Sequence, residues 1–281
     1  MRIVLMGDLH YPLIDETVPG LKEARDIFYQ TVINRFLDID ADLYVSIGDL
    51  TNFGHVSELR EIYSMLRRKE KTFIHVLGNH DLYAQPRDEV LILTGQERYH
   101  SVTTDEAVFA FLDTAKEMDF EDWGGSIDSE QLHWFEEVVQ QSGSKPLLVF
   151  AHHPVYKTTR HSEQEKGSIH PEIDMWRILD QKEGVGVYLN GHTHVNSIVQ
   201  KKQWTFVQVS AFLDQPAFRI IDISNTDIRV TASDLTDDVI ARNAPVIYNN
   251  MDHFSHTKDA RGQESDRQCT ITLKQSSHHL S

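Results

Sequence analysis

An α/β sandwich is the fold class this sequence predicts, on two observations. Short apolar runs alternate with stretches whose apolar residues recur at helical spacing, as strands and helices packed in layers require. Five of the six early apolar runs also stop at a polar cluster, which is how strands deliver loops to a ligand crevice.

The run at 2–6 (RIVLM) is the first strand, and 20–37 follows as a helix with Leu21, Ala24, Phe28, Val32 and Phe36 on one stripe. Runs at 43–47 (LYVSI) and 72–77 (TFIHVL) are the next strands, separated by a helix over 56–66 that carries Val56, Leu59, Ile62, Tyr63 and Leu66. Strands follow at 107–112 (AVFAFL), 147–151 (LLVFA) and 185–189 (VGVYL). Between the first two of these, 129–141 reads as a helix with Leu132, Phe135 and Val139 inward and Ser129 as its cap. A fourth helix is expected from Glu172 to Lys182, opened by Pro171. The runs at 195–199, 204–209, 217–222 and 227–231 read as consecutive strands in hairpins. Residues 1–243 make up the expected domain. Over 244–281 apolar residues thin out, "HTKDARGQESDRQ" reads as solvated, and a polar, mobile tail is expected.

Composition bounds the function. At 281 residues the chain has material for one large core or two small ones, and 40% hydrophobic content fits a globular protein. Its 27 basic and 43 acidic residues give a formal charge of −16, which offers no general attraction to nucleic acid or anionic membranes. A phosphate substrate therefore needs local positive charge. Cys269 is the single thiol, so neither an intramolecular disulfide nor a cysteine zinc site is expected, and a reducing cytoplasm is the simplest location. The opening "MRIVLMGDLH" is too short in apolar residues for a signal peptide, and no run approaches the roughly 20 needed to span a bilayer.

The polar clusters are GDLH (7–10), GDLTN (48–52), GNHD (78–81), HHP (152–154) and GHTH (191–194). Any one of them is an ordinary turn, and with 16 histidines in the chain a single His is more often structural than a ligand. The repetition after five strands is what carries weight. Candidate metal donors are Asp8, His10, Asp49, Asn79, His152, His192 and His194. That set exceeds the four ligands of one zinc, and nitrogen and oxygen donors without thiolate suit manganese, iron, cobalt or zinc. Two ions fit better, with a two-oxygen aspartate bridging them. Two carboxylates against two divalent ions leave a positive hole in an acidic protein, which is the local attraction the composition lacks. Ions about 3.5–4 Å apart clamp a phosphoryl group and turn water into a nucleophile near neutral pH.

These residues resemble the calcineurin-like metallophosphoesterases. The family's blocks, Asp-x-His, Gly-Asp, Gly-Asn-His-Asp or Glu, a His and Gly-His-x-His, run in order from Asp8 to His194, about two-thirds of the chain. The resemblance implies a four-layer α/β/β/α sandwich with the metals at the sheet edges. It assigns Asp8, His10 and His194 to the first ion, Asn79, His152 and His192 to the second, and Asp49 to the bridge, with His153 behind His152. By the same resemblance Asn79 and His80 meet the substrate, and His80 is the general acid for the leaving oxygen or a donor to the phosphoryl group. Asp81 then orients the His80 imidazole and raises its basicity, and Gly78 permits the turn.

Within the family, protein serine/threonine phosphatases usually carry Gly-Asn-His-Glu and Gly-Asp-x-Val-Asp-Arg-Gly, whereas here the residues are Asp81 and "GDLTNFG". Purple acid phosphatases place a tyrosine where this chain has Asn52, and a DNA-repair nuclease wants a basic groove. The pattern, with "FLDTAKEMDFEDWGGSIDSEQLHWFEEVV" (111–139), is similar to the cyclic-nucleotide and glycerophosphodiester phosphodiesterase branch. The implied activity is hydrolysis of a small phosphodiester by metal-activated hydroxide. A nucleotide phosphomonoesterase or pyrophosphohydrolase remains as an alternative, as does a non-catalytic metal-bound scaffold, which has no need of His80. The expected partner is a small phosphate ester, not a nucleic acid duplex or a membrane, and a homo-oligomer is compatible with the sequence. Arg160, His161, Lys166 and His170 in the loop 155–174, and Phe53 and His55, are further candidates for the pocket. The terminal "SSHHLS" reads as tail.

Overall fold

Two six-stranded mixed sheets stack face to face with helices on both outer faces. The computed structural model describes residues 1–273. In the first sheet β1 (Arg2–Met6), β2 (Leu43–Ser46) and β3 (Phe73–His75) run parallel. On the other side of β1 the sheet continues antiparallel through β10 (Ala217–Ile223), β11 (Asp227–Asp234) and β12 (Gln268–Thr272). The second sheet has the order β4 (His100–Thr103), β5 (Val108–Phe111), β6 (Leu147–Phe150), β7 (Gly186–Asn190), β9 (Trp204–Gln208), β8 (Ser197–Lys201). Its four central strands, β5, β6, β7 and β9, are parallel.

Period-two alternation builds the layers, because successive strand side chains face opposite ways. Val4 and Met6 of β1 meet α1 (Leu21–Asp38) and α6 (Asp238–Tyr248) through Phe28, Val32, Phe36, Ile240 and Ile247. Ile3 and Leu5 face the other way, into the space between the sheets, against Phe109, Leu148, Val187 and Leu189. Each such side chain, fully buried, contributes roughly 1.5–3 kcal/mol. On the far face Tyr188 and Phe206 pack on Phe135 and Val139 of α4 (Ser129–Ser142) and on Ile178 and Leu179 of α5 (Met175–Leu179). Three apolar layers between four structural ones give the α/β/β/α sandwich.

Several elements depart from the sequence reading. Asp128, not Ser129, caps α4, accepting the Gln131 N–H at 2.9 Å. The fourth helix shrinks to α5, capped by Asp174, so Pro171 lies outside it. Two elements carried no periodic signal: α3 (Arg87–Thr94), which buries only Val90 and Thr94, and β4, whose Ser101, Val102 and Thr103 are exposed. The helix α2 (Val56–Leu66) stands where its stripe put it. β8–β9 and β10–β11 are hairpins, but β9 and β10 lie in different sheets, and the link 209–216 crosses between them.

The largest correction concerns the tail. Residues 244–273 complete α6 and add β12 to the first sheet. Charge pairing adds there to apolar burial, in which Ile247 and Phe254 join the core outside the first sheet and Cys269 and Ile271 pack between the sheets. Arg219, buried in the first sheet, donates to the Arg267 carbonyl and to Asn196 Oδ1, both at 2.6 Å, and Arg267 pairs with Asp234 at 2.5 Å. "SSHHLS" lies outside the described residues. No described helix is long and apolar enough to cross a membrane.

Candidate active site

The loops that leave the carboxyl ends of β1, β2, β3, β6 and β7 meet at one edge of the sandwich and are stitched together. The Asp8 and His10 N–H groups donate to the carbonyls of Gly48 (3.2 Å) and Asp49 (2.9 Å), and the Gly191 N–H donates to the His152 carbonyl at 3.0 Å. The link between sheets is a carboxylate: Asp8 Oδ1 accepts the His192 N–H at 2.9 Å. Asp49 Oδ1 accepts the His80 N–H at 2.9 Å. Asp49 thus spends one oxygen on a neighbouring loop and keeps Oδ2 for the centre, whereas Asp8 Oδ1 serves both the His192 N–H and the centre, 3.8 Å from His194 Nε2.

This packing demands unusual backbone. Asp8, His10, Asp49, His192 and His194 have φ of 45°, 50°, 49°, 77° and 59°, in the left-handed region. Such conformations cost of order 1–3 kcal/mol each and persist where the surroundings force them, typically at functional sites. Two glycines allow the close approach. A Cβ on Gly78 would overlap Asp49 Oδ1, and one on Gly191 would overlap Asp8 Oδ2. Gly78 serves here by its missing side chain, since its φ is not positive.

The seven candidate donors form two adjoining groups. Asp8, His10, Asp49 and His194 offer donor atoms all within 4.8 Å of one another. His10 Nε2 faces His194 Nε2 at 3.1 Å, with Asp49 Oδ2 at 3.9 Å from the former and Asp8 Oδ1 at 3.8 Å from the latter. In the second group His152 Nε2 lies 3.1 Å from Asn79 Oδ1, 3.3 Å from His192 Nδ1 and 3.2 Å from Asp49 Oδ2. Asp49 Oδ2 thus stands between the groups. The Asn79 amide donates to Tyr83 Oη at 2.7 Å, which turns its oxygen inward. The His152 Nδ1–H donates to the Ile47 carbonyl (3.0 Å) and the His192 Nε2–H to that of Lys166 (2.8 Å), so each presents its other nitrogen to the centre. Metal-bound imidazoles are typically held this way. His153 is spoken for at both nitrogens, by Thr114 Oγ1 at 2.8 Å and the Trp123 carbonyl at 2.9 Å, and so only backs His152.

The electrostatics suit cations. Burial holds His10 well below its usual range and lowers His192 to about 3 and His194 to about 4, leaving neutral rings with lone pairs to give. Burial also pushes Asp8 up to about 8, the penalty of a carboxylate in a dry site without a counter-charge. Among the described residues its Oδ2 and His10 Nδ1 are buried without hydrogen-bond partners. For His152 burial is outweighed by the Asp49 carboxylate, and its pKa rises to about 9. Lone pairs converging at 3.1–3.3 Å, beside an unpartnered carboxylate oxygen, are a donor set that fits two divalent ions.

His80 touches neither group through its ring nitrogens. Its Nδ1–H donates to the Asn52 carbonyl at 2.7 Å. A carbonyl only accepts, so Nδ1 keeps its proton, and Nε2 can donate only when the ring is an imidazolium. The role expected of Asp81 is not the one it has. Asp81 accepts from the N–H groups of Leu50 (3.3 Å), Thr51 (2.9 Å) and Gly78 (3.0 Å), from Thr51 Oγ1 (2.8 Å), and faces His75 Nε2 at 3.0 Å. It ties the second loop to the third, and Asn52 orients His80 instead. The requirement for several backbone donors around one buried carboxylate left no mark in the local sequence.

Above the donors opens a cleft of about 660 Å³. Asn79, His80, His192 and His194 form its floor, and Tyr83, Phe120 and Trp123 an aromatic wall. The Tyr83 and Phe120 rings stack at 4.4 Å. Among the loop candidates only His161 lines the cleft. Arg160 pairs with Asp266 at 3.3 Å, Lys166 sits 4.3 Å over the Trp123 ring, and His170 is exposed beside Glu172. His55 caps α2, and Phe53 packs behind Phe120 at 5.9 Å. Sequence reasoning missed the aromatic wall, whose signal was three large aromatics outside any periodic stretch. It also missed His253, Ser255 and Thr257, which line the cleft too, His253 beside Phe120 at 5.7 Å.

Residues 1–196 match the family model described as calcineurin-like phosphoesterase. Two curated proteins named "Probable cyclic nucleotide phosphodiesterase" are similar to the chain. The one from Vesicomyosocius okutanii is 21% identical over 192 residues, 68% of this chain and 78% of that protein. The one from Ruthia magnifica is 20% identical over 191 residues, 68% of this chain and 77% of that protein. Among solved structures, a dimetal phosphatase from Danio rerio superposes with a TM-score of 0.68 at 14% identity, covering 83% of this chain and 96% of that one. At that identity the likeness establishes the fold.

Proposed function

We propose that this chain, which belongs to the calcineurin-like phosphoesterase family and is thereby a metal-dependent phosphoric ester hydrolase, acts on a small phosphodiester such as a cyclic nucleotide or a glycerophosphodiester. The carrying observation is the cluster of Asp8, His10, Asp49 and His194 beside His152, His192 and Asn79, with Asp49 Oδ2 3.2 Å from His152 Nε2 and 3.9 Å from His10 Nε2, and with His80 on the floor of a cleft sized for a small ligand. Asp8, His10, His194 and Asp49 would hold the first ion, and Asn79, His152, His192 and Asp49 would hold the second. When bound, two divalent ions of manganese, iron, zinc or cobalt polarise the phosphoryl oxygens and lower the pKa of water.

The remaining work falls to side chains. Asn79 and His80 orient the phosphoryl group on the cleft floor, and the imidazolium of His80 donates from Nε2 to the departing oxygen. The Asn52 carbonyl holds the ring in that tautomer throughout. Tyr83, Phe120 and Trp123 exclude water from one side of the substrate. The named relatives support a diester over a monoester. An acidic rim with Glu165 and Asp259 argues against a nucleic acid duplex as substrate. The single thiol Cys269 suits a reducing cytoplasm.

A substrate panel on manganese-reconstituted protein tests the reading, with a model diester, the matching monoester and a dinucleotide pyrophosphate. Faster turnover of the diester supports it. Preference for the monoester or the pyrophosphate moves the assignment to a nucleotide phosphomonoesterase or pyrophosphohydrolase.

A further inference from the structure

The family match ends at residue 196, yet the chain returns to the metal centre twice beyond that point. The link between β9 and β10 brings Asp214, and the segment after α6 brings Phe254, His256 and Thr257. Asp214 Oδ1 accepts the Thr257 N–H at 3.1 Å and faces His256 Nδ1 at 2.7 Å. Its Oδ2 is buried without a hydrogen-bond partner and lies 3.6 Å from His194 Nδ1. The Phe254 ring stacks on His194 at 5.4 Å and meets His10 edge-on at 5.1 Å.

An orphaned buried oxygen costs about 1–3 kcal/mol, so one aimed at an imidazole N–H calls for a reason. At 3.6 Å the pair is slightly longer than a hydrogen bond. His152 and His192 each rest the nitrogen turned away from the centre on a carbonyl, and His194 has Asp214 in the corresponding place.

Resting on the metal-centre reading above, we infer that Asp214 is a positioning residue of the first metal half-site, clamped by His256 and Thr257, with Phe254 stacked on the His194 ring it positions. It fixes His194 with Nδ1–H toward Oδ2 and Nε2 toward the ion. The C-terminal segment is then a working part of the site, supplied from outside the span that carries the motifs.

The test is a calorimetric titration of full-length, metal-stripped protein with Mn²⁺. Wild type should show two binding events, and the one lost in His194→Ala identifies the first half-site. Asp214→Leu should weaken that event by about 10–100-fold and leave the other at its wild-type affinity. Asp214→Asn, whose amide oxygen can accept the Nδ1–H but only with its NH2 turned toward the Thr257 N–H, should recover part of the loss, which a merely structural role would not predict. Should Asp214→Leu fail to fold, His256→Ala at the segment's solvent edge should show a smaller loss in the same event. Unchanged affinities in the folded variants, equal weakening of both events, or an Asn variant no better than Leu would overturn the proposal alone. A wild-type protein that binds no Mn²⁺ would overturn the metal-centre reading and this proposal with it.

Discussion

The two halves of the candidate metal centre stand on different supports. In the second half the rings of His152 and His192 are each tied to a backbone carbonyl, at Ile47 and Lys166, within the span that matches the family. In the first half His10 Nδ1 has no partner, and His194 faces Asp214 and lies under Phe254, both beyond that span. Backbone carbonyls are placed by the fold, whatever side chains the loops carry. Side-chain supports can be altered by single substitutions. The first half thus leans on side chains from beyond the matched span, whereas the side-chain support of the second, Tyr83 on Asn79, lies within it.

Four predictions sharpen or break that contrast. Asp49 belongs to both halves, so Asp49→Ala should erase the distinction. Metal analysis should find both ions lost. With several kcal/mol of charge stabilisation gone, at about 1.4 kcal/mol per tenfold, turnover should fall on the order of 1000-fold. Two retained ions with normal turnover would remove Asp49 from the centre. Metal identity comes next. Imidazole-rich donor sets suit the softer ions, so after chelation Mn²⁺ should restore activity well above Mg²⁺ at equal concentration. Equal rescue by Mg²⁺ would contradict the donor assignment.

His80 belongs to neither half. His80→Ala should keep the metal content and lower turnover by roughly 100-fold. The loss should be smallest for diesters with nitrophenolate leaving groups, which need little protonation, and largest for alkoxides. A loss independent of leaving group would point to an electrostatic contact with the phosphoryl oxygens instead. The smallest effect on the chemistry is expected at Asp81. Removing a buried carboxylate that gathers donors from two loops and His75 should destabilise the fold by about 3–5 kcal/mol in urea denaturation. The leaving-group dependence of the folded fraction should stay as in wild type. Kinetics matching His80→Ala without loss of stability would restore the orienting role that the motif suggests for it.

Legibility in the sequence follows the same divide. Residues 2–6, 43–46 and 147–150 announce themselves as strands because both faces of each are buried, and the polar clusters after them stand out against apolar runs. Asp8 and Asp49 each follow an apolar run and a glycine, so they could be picked out as candidates by type and order alone. Asp214, His253 and Phe254 could not, since their place depends on the chain crossing between sheets and folding back. β12 was misread because an edge strand with one solvated face alternates half-buried Cys269 and Ile271 with exposed Gln268, Thr270 and Thr272, which thins its apolar signal to that of a tail. The Asp81 misreading is of the same kind. Adjacency in "GNHD" suggested a pair, whereas folding turns Asp81 into the protein and His80 toward the cleft.

The central claim, a two-ion phosphodiesterase, is tested most directly by following bis(p-nitrophenyl) phosphate hydrolysis while Mn²⁺ is titrated into chelator-stripped protein. The rate should be negligible without metal and should saturate only when two ions are bound, with p-nitrophenyl phosphate cleaved more slowly at the same occupancy. A rate independent of metal, or faster cleavage of the monoester at saturation, would contradict the account.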